Sequence, residues 1–330
     1  MSRAQLTSTV EQNTGGAVAP FVAGKNKVIN GDFGVWQRGT TGSGINVYTA
    51  DRWFISSTTS QTVAQYTTSL PTGFAYAANW SYSGSYPLFA QYIELPATGV
   101  AGPFTGTWTM SYWAKASANL STFSVSGNFN DGSSRSNAIS GFNLTSVGVT
   151  TSWVRYTQTV TFANVPNGTN KSLELAFYNN ATSGSGNIYI TGVQLEAGSV
   201  ATPFTTASGT LQGELALCQR YYFREGYVGT GYEPFAAGLC FSSTQALIAS
   251  RLPFQMRVTP AVAYSSTVGN FSVRTASNSI ISLTAIAQDS ASPWNVFHKI
   301  TVASGLVAGN ATLMNVGASG PCYIEYNSEL

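Results

Sequence analysis

At 330 residues the chain is too long for one small sandwich and reads as two domains. Charged residues make up only 8%, against roughly a quarter in ordinary soluble proteins, and the 15 basic residues are scattered under a net charge of +2, which leaves no basic cluster for nucleic acid. No apolar run is long enough to span a bilayer, and an aromatic content of 13% with strand-like patterning is wrong for a disordered chain.

Residues 1–26 are small and polar, carry Gly-Gly-Ala-Val-Ala-Pro in the middle and show no period. They lack the apolar core of a signal peptide, so the chain is expected to stay in the compartment where it is made, or to leave it by cell lysis. Two marker stretches then bracket a segment of single-domain length. The first is Val28-Ile-Asn-Gly-Asp-Phe-Gly-Val-Trp-Gln-Arg-Gly39, followed by Tyr48-Thr-Ala-Asp-Arg-Trp53. The second is Ile188-Tyr-Ile-Thr-Gly-Val-Gln-Leu-Glu-Ala-Gly198, followed by Ala201-Thr-Pro-Phe204. They read as the first and last strands of one sandwich over 27–206.

Between them short β-like runs recur. In Trp153–Phe162 one face carries Trp153, Arg155, Thr157, Thr159 and Thr161, and the other Val154, Tyr156, Val160 and Phe162. That period of two means a strand with one face in a core. Turn clusters such as Pro166-Asn-Gly-Thr-Asn separate the runs. About eight such strands suggest a jelly roll. Residues 207–213 read as a Ser/Gly linker, and Glu214–Arg220 as one or two helical turns. Residues 214–330 return to strand patterns and are expected to form a second, smaller β-sandwich. Pro253 and Pro260 belong at strand starts or edges. The fold class is therefore all-β.

Chemistry is sparse. Cys218, Cys240 and Cys322 are an odd set without ligand spacing and read as buried thiols in a reducing compartment. His298 is the only histidine and, in a strand pattern opposite Phe297, reads as structural. No Gly-x-Ser-x-Gly elbow, zinc cluster or phosphate-binding loop is present. A carboxylate pair for cleaving glycans has no recognisable motif, and the repeated coils of a β-helical depolymerase are missing.

Gly31, Asp32, Trp36, Asp51, Arg52 and Trp53 read as a structural motif: a turn, a core Trp pair and an Asp–Arg brace across the sandwich. Asn79, Trp80, Tyr82 and Tyr86 fall in an aromatic-rich loop. Exposed rings there would stack on sugar faces, with Asn79 donating hydrogen bonds. The competing reading has them cover a core edge or a subunit contact. Asp32 and Glu196, on the expected first and last strands, are the acids that a structural calcium ion would draw on, with few other oxygens in reach.

The two marker stretches, together with Glu214-Leu-Ala-Leu-Cys-Gln-Arg-Tyr-Tyr222, Leu252-Pro-Phe-Gln-Met-Arg257 before Pro260, and Tyr323-Ile-Glu-Tyr-Asn-Ser-Glu-Leu330, resemble a family of tailed-bacteriophage virion proteins. The N-terminal unit of that family is similar to carbohydrate-binding-module jelly rolls. The resemblance covers nearly everything after Lys27. It implies a non-enzymatic and homotrimeric structural protein of the virion, assembled in the host cytoplasm. The partners it implies are other virion proteins and host-surface polysaccharide, with no nucleic acid and no membrane insertion. Its cofactor expectation is none, a structural calcium ion being the single exception considered. The roles it offers are a tail fibre or spike subunit and a capsid-bound head fibre or decoration protein; a glycan-degrading tail enzyme is the competing alternative. Under this resemblance residues 1–26 become an arm that docks to the virion through Leu6, Val10, Val18, Phe21 and Val22.

Overall fold

The computed structural model describes residues 24–330 apart from 57–58, 85–86, 96–103, 131–134, 138–146, 163–170, 180–183, 228–232, 266 and 317–321. Tyr86 and the arm residues Leu6, Val10, Val18, Phe21 and Val22 lie outside the described residues.

Two antiparallel sheets make the first unit. The front sheet runs in the order β1 (Thr41–Gly44), β4 (Gln61–Tyr66), β5 (Ala77–Ser83), β13 (Ser185–Ala197), β7 (Gly106–Ala116) and β11 (Val154–Phe162). The back sheet runs β10 (Val147–Val149), β8 (Leu120–Asn130), β12 (Ser172–Asn179), β6 (Leu88–Glu94), β3 (Trp53–Ser56) and β2 (Val47–Tyr48), with β9 (Arg135–Asn137) also on β8. The two faces that meet are apolar at every second residue. In β7 these are Trp108, Met110, Tyr112, Ala114 and Ala116, and in β5 they are Ala78, Trp80 and Tyr82. Rings from both sheets interlock: Trp53 lies 4.9 Å from Phe33 and 5.0 Å from Phe89, and Phe177 lies 5.0 Å from Tyr112. Each such buried side chain contributes about 1.5–3 kcal/mol, and each ring pair about 0.5–1.5 kcal/mol more.

The jelly-roll-type sandwich agrees with the sequence expectation, but the opening strand does not. Residues 28–40 form turns, and the first strand begins only at Thr41. The cause is local. Asn30 and Phe33 take left-handed backbone, with φ of 56° and 55°. The Asn30 amide then ties the loop together, donating to the Val35 and Asp51 carbonyls and accepting from the Val35 N–H. Gly31 is required here because a Cβ on it would collide with the Val193 carbonyl, while its own carbonyl accepts from Val193 N–H at 2.9 Å.

Helix α1 (Leu211–Gln219) opens the second unit. The helix starts three residues before the expected Glu214, so Leu211–Gly213 belong to its first turn and not to the linker, because Thr210 caps it: Thr210 Oγ1 accepts from Gly213 N–H at 3.0 Å. A three-stranded sheet follows, in the order β14 (Tyr222–Tyr227), β22 (Cys322–Asn327) and β17 (Ala261–Tyr264). Six more strands close into a barrel: β15 (Glu233–Cys240), β16 (Gln245–Arg251), β20 (Asn295–Val302), β19 (Ile280–Ala291), β18 (Ser272–Arg274) and β21 (Ala311–Val316). The strands expected here as a second sandwich thus close on themselves. Strand β21 does this by pairing with both β15 and β18, which leaves the ring no edge. Barrel and sheet share one core, including Ile248, Val296, Ile300, Met314, Ile324 and Tyr326. All three cysteines are buried thiols outside any disulfide. Among the described residues no helix is long and apolar enough to cross a membrane.

Candidate functional site

One of the motif residues singled out in sequence, Arg52, meets the second unit, and neighbouring side chains join it there. Arg52 is 1% exposed. It pairs with Glu329, donates to the Tyr92 carbonyl, and stacks its guanidinium 3.5 Å from the centre of the Tyr221 ring. Arg38 pairs with the same carboxylate at 3.3 Å and stacks 3.5 Å over Tyr222. Arg220 and Tyr221 both donate to Glu94, at 2.9 and 2.8 Å. Tyr48 donates to the Leu330 carbonyl at 2.8 Å, and Glu214 accepts from Asn30 N–H.

The expected Asp–Arg brace is not formed. Asp51 and Arg52 are chain neighbours, but Arg52 has a φ of 71° and points away from Asp51. The Asp51 carboxylate instead accepts twice from Gln37, from its N–H and its side-chain amide, both at 2.6 Å. Burial raises the Asp51 carboxyl above its ordinary range, with Arg38 opposing the shift. Trp53 is fully buried, whereas Trp36 packs on the core from the side and donates to the Phe33 carbonyl. Of the motif, Arg52 fastens one unit to the other, and Gln37, which Asp51 holds, donates to the Tyr222 carbonyl at 2.8 Å.

The expected sugar loop is also corrected. Asn79, Trp80 and Tyr82 lie in strand β5, and Trp80 (0% exposed) and Tyr82 (6%) point into the core. Trp80 donates to Gln61 and lies 5.8 Å from Phe89. A ring held between two sheets cannot stack on a ligand. Polar Asn79, Ser81 and Ser83 disguise the strand as a loop, although Trp80 and Tyr82 alternate with them.

Asp32 and Glu196 do not assemble a calcium site. Asp32 sits in a turn rather than a strand, and burial raises its carboxyl. The Glu196 oxygens accept from Lys25, Thr202 and Gln194. Despite partial burial, these bonds hold the Glu196 carboxyl below its ordinary value. Among the described residues no group of three or more His, Cys, Asp or Glu could hold a metal ion. His298 is enclosed in the barrel core, between Tyr264 Oη on Nδ1 (2.8 Å) and Ser250 Oγ on Nε2 (2.9 Å). Burial lowers its pKa to about 4.

The outward face of the front sheet gathers what the sequence kept apart. Strand register places Ala64, Asn79, Tyr189 and Lys115 side by side across β4, β5, β13 and β7. Trp153, one residue before β11, continues this row. Tyr66 adjoins it from the next row, where Trp113 pairs with Arg155. The Lys115 ammonium lies 4.8 Å from the Tyr189 ring centre, 5.0 Å from Tyr66 and 5.2 Å from Trp153. The rings are mutually tilted, Tyr66 on Tyr189 by 55° and Trp153 on Tyr189 by 67°, and the three group around the amine. Trp153 is anchored by donating to the Ser69 carbonyl at 2.6 Å. All four side chains are half-buried. Among the described members of the expected sugar set, Asn79 faces this side, and its Oδ1 has no hydrogen-bond partner among the described residues. Alternation in each strand marked these side chains as outward. Only register, which the sequence does not display, brings them together.

No protein-family model and no curated protein matches the chain. Solved structures with similarity include a putative sugar binding protein from Bacteroides thetaiotaomicron, at 14% identity over 52% of this chain and 99% of that one, with a TM-score of 0.36. Another is the N-terminal CBM22-1-CBM22-2 tandem domain from Paenibacillus barcinonensis Xyn10C, at 12% identity over 96% of this chain and 100% of that one, TM-score 0.33. A third is the enzymatically active domain of tailspike protein 4 of bacteriophage CBA120, at 17% identity over 52% of this chain but 21% of that one, TM-score 0.30. All three TM-scores lie under 0.5, so function has to be read from this chain's own residues.

Proposed function

We propose that this chain is a non-enzymatic structural protein of a phage particle, a tail fibre or spike subunit that helps attach the particle to a host-surface glycan. The observation that carries the glycan reading is the cluster of Tyr66, Tyr189 and Trp153 around Lys115 on the outward front sheet. Half-buried rings offer flat apolar faces to the C–H face of a sugar, and the ammonium beside them hydrogen-bonds its hydroxyls. A sheet face is also a rigid support, which keeps the cost of ordering the site low. The virion reading is supported by the ordered motifs of the sequence, several of which meet at the seam between the units. The non-enzymatic reading is supported by the placement of acids. Glu94, Glu196, Glu325 and Glu329 are each engaged by Arg, Lys or Tyr donors. Glu225 and Glu233 do share an open pocket, but its other described lining residues are Gly226, Pro234, Phe235 and Val316, which offer no further titratable or nucleophilic group.

Affinity electrophoresis of the full chain through host-envelope polysaccharide tests this. Retardation is expected, without release of reducing ends, and the double variant Tyr189→Ala/Trp153→Ala should lose it while unfolding at nearly the same denaturant concentration. Unchanged retardation of that variant overturns the site, and accumulating reducing ends overturn the non-enzymatic role.

A further inference from the structure

We infer that the glycan taken by this face is acidic: a sugar carboxylate pairs with the Lys115 ammonium while its ring lies against Tyr189 and Trp153. This deepens the proposed function and depends on it. Three observations lead to it.

The first is the state of the cation. An ammonium has three donors, and among the described residues Lys115 uses one of them, toward Tyr66 Oη at 3.2 Å. No carboxylate pairs with it there, although Lys25, Arg38, Arg52 and Arg220 each have one. In a chain with only 13 acids and 15 bases, an unpaired cation held in place by three rings is a selective arrangement.

The second is its surroundings. Arg155, in the neighbouring row, turns away from Lys115: it donates to Ser111 Oγ and to the carbonyl of Thr202, the residue whose N–H and hydroxyl hold Glu196, so Lys115 is the cation that faces the rings. The acid of this face in the described part of the sheet, Glu196, stands opposite Thr109, six residues along β7 from Lys115, or about 20 Å. It is already held by Lys25. The potential over the cluster is therefore positive and is not cancelled locally.

The third is its solvation. The ammonium lies over three ring faces, so part of its hydration is already replaced by aromatic surface before an anion arrives. This strengthens the pair relative to an open surface lysine. A neutral sugar would gain the stacking alone. A sugar acid gains stacking and charge at once, with a C–H face of its ring toward Tyr189.

The test is a panel of acidic polysaccharides (polygalacturonate, alginate, hyaluronate and polysialic acid), each beside its carboxyl-reduced, neutral counterpart. Binding to the full chain is followed by affinity electrophoresis and by tryptophan fluorescence. At least one acidic polymer should bind, and carboxyl reduction should weaken it about tenfold or more, as expected for loss of a charge-assisted hydrogen bond. Raising the salt should weaken the acidic polymer and leave a neutral one unmoved. Lys115→Gln should reproduce the loss, and Lys115→Arg should keep most of the affinity. Polyglutamate, a polyanion without sugar rings, should not bind. If a neutral polymer binds as tightly as its acidic parent and Lys115→Gln changes nothing, the acidic preference is wrong while the sugar face stands. If no polymer of either kind binds, both fail. If polyglutamate binds equally, the face responds to charge alone and the inference is overturned.

Discussion

Two regions of this molecule hold cations among aromatic rings, and they do so differently. At the seam between the units, Arg52, Arg38 and Arg220 stack on or beside Tyr221 and Tyr222, and each is closed by a glutamate. On the front sheet, Lys115 sits among Tyr66, Tyr189 and Trp153 with no glutamate. The same ring chemistry is self-satisfied in one place and incomplete in the other. A buried cation must be neutralised by its own chain, because its desolvation is otherwise too costly. A cation at a half-open surface tolerates the vacancy and is available to a ligand.

The largest effect expected from this contrast is at the seam. Arg52→Ala leaves Glu329 buried beside Arg38 alone and removes the stack on Tyr221. It should cost about 3–5 kcal/mol in denaturant unfolding. Glycan retention by the folded fraction should persist, and its loss would show that seam and face are not separate devices.

His298 offers a third way to bury a polar group, kept neutral by the barrel. Its folded pKa of about 4 lies below the ordinary 6.5, so the unfolded chain binds the proton first as the pH falls. The stability from this group is complete above pH 6.5 and is lost progressively down to about pH 4, on the order of 3 kcal/mol in all. Unfolding measured across that range should slope accordingly, and His298→Phe should flatten the slope. A slope unchanged in that variant would assign it to another group.

Tyr189→Ala should cost about 1–2 kcal/mol in glycan affinity and little stability, the inverse of Arg52→Ala. Equal losses of both kinds would erase the distinction between the regions. The smallest effect is Thr210→Ala, which removes the cap of α1. A loss of about 1 kcal/mol is expected from calorimetry, with no change in binding.

How much of this was legible depended on whether a signal is local. Alternation in Val154–Phe162 is local, and it placed Val160 and Phe162 in the core, although Val154 at the start of the same face is 39% exposed and Tyr156 only partly buried. The buried thiols and structural His298 were equally readable. Trp80 and Tyr82 were misread because serines around them imitate a loop, and small polar residues fit the outward side of a strand as well as a turn. Asp51 and Arg52 were joined because they are adjacent, but one left-handed residue separates their directions. The sheet face was invisible for a different reason. Tyr66, Lys115, Trp153 and Tyr189 come singly from four chain segments, and only the register of β4, β5, β13 and β7 makes them neighbours. The closure of the barrel likewise depends on β21, whose Ala-Thr-Leu-Met-Asn-Val has little to mark it before its partners are known.

The most direct measurement is hydroxyl-radical footprinting of the full chain with and without bound host polysaccharide. Protection is expected to concentrate at Tyr66, Trp153 and Tyr189, with the seam rings Tyr221 and Tyr222 unchanged. Protection that falls instead on the barrel exterior at Phe241, Trp294 and Phe297, with the front sheet still open, would contradict it.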